Sequence, residues 1–188
     1  MKTVTPKIAP LATEEWSNDA RAALSGNRAG ISKTGVPNVL ATLARHPRLV
    51  KAWFPFATYA VAESGLPPRD RELVILRVGW LSRSAYEWGQ HVAMARRIGV
   101  TDEEIVRVRD GAGAPGWSDF DALLLRATDE LRAESALGDA TWKALSERYD
   151  EQQILDLIFT VGQYGLLAMV LNSIGVELDA GTQGLEHP

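Results

Sequence analysis

Residues 69–99 constrain the fold most. They read RDRELVILRVGWLSRS followed by AYEWGQHVAMARRIG, two helical stretches with a short break between them. The first runs from Arg69 to about Leu81 and is apolar on most faces through Leu73, Val74, Leu76, Val78, Trp80 and Leu81, so other elements must cover it on most sides. On the second, a step of 100° per residue places Ser84, Glu87, His91, Met94 and Ile98 within a sector of roughly 80°. Met94 and Ile98 turn that sector toward the core, and Gly89, Arg96 and Arg97 lie opposite. A carboxylate and an imidazole at i and i+4 therefore point into an apolar layer. Burial there is costly unless such groups are paired or used.

No stretch alternates as a strand does, and helical signals recur along the chain. The pattern predicts a helix from Thr13 to about Leu24 with Thr13 as N-cap. Helices follow over 38–45 and 47–64, with Pro47 in the first turn of the second and Pro55 kinking or restarting it. Thr101 and Glu104 form a capping box for the next helix. Further helices are expected at 119–134, 140–148 and 151–174. The fold class is all-α. Residues 1–37 read as an N-terminal arm, helix and loop, 38–176 as the helical domain, and 177–188 as a polar, frayed tail. The loop SGNRAGISKTGVPN has the length of a lid or pocket wall. The aromatic run WFPFATYA reads as core packing or as a pocket wall. Residues 154–176 are long enough to span a membrane. Asp156, Gln163 and Asn172 interrupt them, however, and no aromatic or basic belt flanks them. A helix buried in a bundle, or held at a subunit interface, is the better reading.

Charge and cysteine usage narrow the function classes. The 188 residues carry a net charge of −4 with both signs interspersed. No basic stripe invites nucleic acid. Cysteine is absent, which removes disulfides, thiolate metal sites and thiol-based catalysis. The N-terminal MKTVTPKIAPLATEEW has no apolar secretory core, so a soluble cytoplasmic protein is expected.

Of the three histidines, His46 stands beside Pro47 at a helix boundary and His187 lies in the tail. Only His91 shares a core-facing stripe with a carboxylate. A Glu87–His91 pair suits general acid–base chemistry; a core histidine held by Glu87 is the bland alternative. Ser84 and Glu87 also fit a capping box, S-A-Y-E, which competes for the same carboxylate. Glu72, in the first turn of its helix, is favoured there by the helix dipole. Glu72, Glu87 and His91 offer two carboxylates and one imidazole. With one imidazole and no thiolate that is a poor metal set, and neither metal nor cofactor is expected.

The stretch R-x-x-E-L-x-I-L-R, then Y-E-W-x-x-H and a helix ending in Gly99, resembles the carboxymuconolactone decarboxylase family, which includes the AhpD-like alkylhydroperoxidases. ATDEL at 127–131 and VGQYGLLAMVLNSIGVEL at 161–178 extend the similarity toward longer, cysteine-free members. The resemblance implies an AhpD-like helical bundle built on a central helical hairpin, and assembly as a homo-oligomer through apolar helices. The AhpD-like motif is a Glu, eleven residues, Cys-x-x-Cys, then x-x-x-His. Here the Glu is Glu72, the His is His91, and Ser84 and Glu87 stand at the two cysteine positions. A disulfide-cycling peroxidase is thereby excluded. The decarboxylase branch, which uses no redox cysteines and no cofactor, is the closer chemistry. It implies a lyase or isomerase acting on a small organic acid or lactone. His91 would be the acid–base, Glu87 its orienting partner and Glu72 a second acid, with Ser84, Trp80, Trp88 and Tyr59 around the pocket. A non-catalytic oligomeric binding protein on the same scaffold is the alternative. A void beside His91 is the feature that separates the two.

Overall fold

The computed structural model describes residues 5–25 and 35–186. Among them are nine α-helices and no strand. These are α1 (Asn18–Leu24), α2 (Asn38–Leu43), α3 (Pro47–Thr58), α4 (Pro68–Leu81), α5 (Ala85–Arg97), α6 (Asp102–Asp110), α7 (Asp119–Glu134), α8 (Asp139–Ser146) and α9 (Glu151–Ile174). Most of the loop expected as a lid, residues 26–34, lies outside the described residues, as does His187.

Helix α4 is the hub. Its apolar residues face all ways, and every residue from Glu72 to Gly79 is buried. On one side Val74, Ile75 and Val78 pack with Leu124, Leu145, Leu157 and Val161 of α7, α8 and α9. On the other, Leu73 and Leu76 pack with Trp88 and Val92 of α5, Ile105 of α6 and Leu125 of α7. Arg77 is buried as well, and its charge is fully engaged. Its Nε donates to Asp129 Oδ1 at 2.6 Å, and its Nη1 donates to the Val108 and Arg109 carbonyls at the end of α6 at 2.9 and 2.8 Å. Gly111 follows with φ of 79°, and a side chain there would run into that guanidinium.

The N-terminal part departs from expectation. Thr13–Glu15 is only a 3₁₀ turn, and the helix proper starts after Ser17, whose hydroxyl accepts from Ala20 N at 3.1 Å. Both threonine and serine are good caps, so the local signal alone does not choose between them. Residue 37 is no packing boundary. Trp16, Ala20 and Leu24 share one cluster with Leu40, Ala41, Ala44 and Val50 of α2 and α3. Pro55 does not break α3. It is exposed, as is Lys51, whose carbonyl it leaves without an intrahelical donor, so water can take that place. A π-helical turn, Tyr59–Glu63, carries the chain out of α3.

Helix α9 is opened by an Asp150/Gln153 capping box and closed by Gly175 at φ 71°. By length and composition it could cross a membrane, yet more than half of its most apolar window is buried in the bundle. The residues that interrupt it are each bonded. Asp156 accepts from Tyr59 Oη at 2.6 Å and from Gly65 N at 2.7 Å, and Asn172 Nδ2 donates to the Ser82 carbonyl at 2.8 Å. Burial is one-sided: Leu155, Phe159, Leu166 and Met169 form an exposed apolar stripe.

The tail is not frayed through residue 186. Asp179 Oδ1 accepts from Asn38 N at 2.8 Å, and its Oδ2 accepts from Tyr86 Oη at 2.7 Å and Gln90 Nε2 at 2.8 Å. Leu185 packs on the α4–α5 core. Gly89 makes this possible, because a Cβ there would collide with the Gln183 carbonyl.

Candidate functional site

The α4–α5 hairpin positions the site. Its turn passes through Arg83 at φ 52°, and Ser84 N donates to the Gly79 carbonyl at 2.9 Å. Helix α5 is thereby laid against α4, and Glu72 meets His91 across the hairpin. Glu72 Oε2 and His91 Nδ1 are 2.8 Å apart, and both side chains are buried. The ring of Tyr164, from α9, stands edge-on to the imidazole with centroids 4.9 Å apart. Bonding at Nδ1 leaves Nε2 as the ring nitrogen of His91 not engaged by Glu72.

Two expectations about Glu87 are corrected. It does not pair with His91, whose ring nitrogen is taken by Glu72. Nor does it cap α5: the Ser84 N–H is already bonded to Gly79 O, and no side chain caps that helix end. Instead both Glu87 carboxyl oxygens and the Ser84 hydroxyl are buried without a hydrogen-bond partner among the described residues. Oε1 lies against Gly79, where a Cβ would sit 3.4 Å from it. Burial pushes the Glu87 carboxyl well above the usual carboxylate range, with Arg132 opposing only in part. Burial therefore favours the protonated, uncharged form of this carboxyl. Burial, followed by the charges of Glu72 and Glu87, likewise holds the Tyr164 phenol well above its ordinary value, so it stays a donor.

A cavity of about 220 Å³ lies between α2 and α3 on one side and α5 and α9 on the other. His91, Glu87 and Gln90 reach it from α5, and Gln163 and Tyr164 from α9. Trp53, Phe54, Leu40 and Leu167 supply much of the apolar wall. The Tyr164 hydroxyl makes no hydrogen bond to any described residue and is not sealed from the space it lines.

Residues 47–130 match the sequence profile of the carboxymuconolactone decarboxylase family. That stretch, from α3 into α7, is similar to the family. No curated protein matches it. Among solved structures, a peroxidase-related protein from Silicibacter sp. TM1040 superposes with a TM-score of 0.79 at 18% identity, covering 96% of this chain and 95% of that one. An uncharacterised peroxidase-related protein with an alkylhydroperoxidase AhpD core, from Ralstonia eutropha JMP134, gives 0.76 at 20% identity, covering 94% and 95%. A cysteine-to-alanine variant of the debrominase Bmp8, in complex with 2,3,4-tribromopyrrole, gives 0.76 at 13% identity, covering 95% of each. At such identities the likeness establishes the all-α, AhpD-like fold.

Within this family frame, the two positions that the AhpD-like motif gives to cysteine hold Ser84 and Glu87, the buried groups without hydrogen-bond partners. The structure brings His91, Glu72 and Glu87 together and leaves the other expected pocket residues elsewhere. Trp88 is fully buried in the α4–α5 core with Trp80 beside it, ring centroids 5.4 Å apart, and Arg109 lies over both rings. Ser84 is buried at the start of α5, off the cavity. Tyr59 faces outward from the π-helical turn toward Asp156. Ile98 lies past the last helical residue and is exposed, whereas Met94 lines the cavity. The aromatic run divides: Trp53 and Phe54 face the cavity, and Phe56 packs against Phe159 on the outer side of α9. Sequence reasoning missed Tyr164, Gln163, Gln90 and Asp179. A usable signal existed for two of them, because Gln163 and Tyr164 are polar groups inside an otherwise apolar helix and so need partners or a use.

Proposed function

We propose that the cavity beside His91 is the active site of a lyase or isomerase that moves a proton on a small organic substrate. One observation carries this reading: His91 is oriented by Glu72 through Nδ1 and abuts an open cavity. In the proposed step, Nε2 takes a proton from the carbon next to a substrate carbonyl. The imidazolium so formed is balanced by Glu72. The Tyr164 hydroxyl donates to the carbonyl oxygen as it gains charge. Returning the proton to a different carbon gives an isomer. In a decarboxylation no carbon proton is removed first: a carboxylate β to the carbonyl leaves as carbon dioxide, its bonding pair becomes the enolate, and the enolate carbon takes a proton from Nε2 of protonated His91. Glu87 also lines the cavity, but its carboxyl oxygens are buried, and it takes no part in the step. The relay is complete in side chains and needs no cofactor. Room beside the imidazole supports this reading over a vestigial site, in which side chains would fill that space. Thiol peroxidase chemistry has no thiol to use. We also propose a cytoplasmic homo-oligomer in which the exposed stripe of α9 is covered by a second copy.

The test is α-proton exchange. Cyclohex-2-enone incubated in deuterated buffer should lose its α and γ proton signals by NMR faster with protein than without. His91→Ala and Tyr164→Phe should each lower that rate by roughly 10²–10⁴. Exchange that is no faster than in buffer, or that both variants retain, removes the catalytic reading.

A further inference from the structure

The hydrogen-bonding character of the cavity is set by what stands behind it. Gln90 offers its Nε2 to Asp179 at 2.8 Å, and a carboxylate can only accept, so the Gln90 atom left over is the carbonyl oxygen. Gln163 offers its Oε1 to the indole N–H of Trp53 at 3.2 Å, and an indole can only donate, so the Gln163 group left over is the NH₂. Neither leftover atom makes a hydrogen bond to a described residue or is sealed from solvent-accessible space. His91, held at Nδ1, presents Nε2, and Tyr164 presents its hydroxyl. The cavity therefore offers donors from Gln163 and Tyr164, an acceptor from Gln90, and Nε2 of His91, which accepts in the Nδ1–H tautomer. The remaining wall is mostly apolar and partly aromatic, with Trp53 and Phe54 suited to a flat ring.

We propose that this site binds an uncharged ring of enone or lactam type, its carbonyl received by Tyr164 and Gln163 and, in a lactam, its N–H received by Gln90. The inference rests on the cavity being the active site. Volume and charge both favour such a ligand. About 220 Å³ suits a single ring with small substituents. A ligand carboxylate would give up its hydration between apolar walls. It would also share the space with the Glu72 carboxylate, whose charge already acts on Tyr164. An uncharged ring meets neither penalty, and its carbonyl finds donors in place. A decarboxylation by this site would then act on a ring whose single acid group is the one lost, and proton transfer without carbon loss is the better-fitted reaction.

Binding to the wild-type protein decides the question without turnover. Ligand-observed NMR titrations would use 2-pyridone, cyclohex-2-enone and, as the anionic ring of similar size, benzoate. Both neutral rings should bind at least about tenfold more tightly than benzoate, a discrimination of the order of one unsatisfied polar group. Gln90→Leu should weaken 2-pyridone roughly tenfold and leave cyclohex-2-enone within about twofold, since only the lactam has an N–H to lose. The proposal is overturned if benzoate binds as tightly as the neutral rings. It is also overturned if neither neutral ring binds at millimolar concentration, or if Gln90→Leu weakens both rings equally. Proton exchange on the same samples separates the two ideas. Tight neutral rings without exchange refute the catalytic reading and uphold the ligand class; benzoate preference with exchange does the reverse.

Discussion

Replacing Glu87 by methionine should make the protein more stable, and increasingly so as pH rises. Neither carboxyl oxygen has a hydrogen-bond partner among the described residues, and an unsatisfied buried polar group costs about 1–3 kcal/mol. Methionine has similar length, fills irregular gaps and carries no such penalty. Near pH 4.5, the ordinary glutamate value, Glu87 is still neutral in the folded protein. The expected gain there is about 1–3 kcal/mol, which for a domain of this size raises Tm by about 2–12 °C. Above that pH the unfolded chain releases a proton that the folded chain keeps, because the folded value is raised. Wild-type stability therefore falls with pH through this group, by at most about 1.4 kcal/mol per unit, until the folded value is passed. The variant lacks this slope, so its advantage widens from pH 5 to pH 8. Arg132 opposes the effect only weakly, since it is exposed and screened. The assay is thermal unfolding by circular dichroism of both proteins at the two pH values. A variant no more stable than wild type at either pH refutes the account and means that Glu87 has a partner in solution.

Three other outcomes follow from the structure. His91→Leu strands the Glu72 carboxylate and should cost about 3–5 kcal/mol in chemical denaturation; adding Glu72→Gln should return part of that stability without returning proton exchange. Gly89→Ala drives a Cβ into the Gln183 carbonyl, so it should release the tail. Limited proteolysis should then cut within 177–186 faster than in wild type, at a stability cost of about 1–3 kcal/mol. If the stripe on α9 is a subunit contact, light scattering should report a mass above the 20.5 kDa monomer, and Phe159→Glu should reduce it; a monomeric wild type at micromolar concentration refutes this.

Much of the fold was legible because helices announce themselves locally. The α7 and α9 boundaries follow from capping residues and a 3.6-residue period, and the Thr101/Glu104 box from its spacing. The N-terminal start was misplaced because Thr13 and Ser17 are comparable caps four residues apart. The order of the tail was invisible because ELDAGTQGLEHP has no periodic apolar face. It is held by one carboxylate with three donors on α2 and α5, an arrangement that no local pattern encodes.

The candidate site divides in the same way. Sequence alone determined that Glu87 and His91 face inward, since the helical period fixes the face of a residue from its neighbours. The choice of partner was made by tertiary structure. His91 pairs with a glutamate nineteen residues earlier rather than four residues earlier, because the hairpin turn at Arg83 lays α5 against α4 and brings Glu72 to Nδ1. The pocket wall was also decided there: Trp88 and Trp80 pack into the α4–α5 core, while Tyr164 and Gln163 of α9 turn toward the cavity. Periodicity reports which face of a helix is buried, and only the packing of one helix on another determines what that face meets.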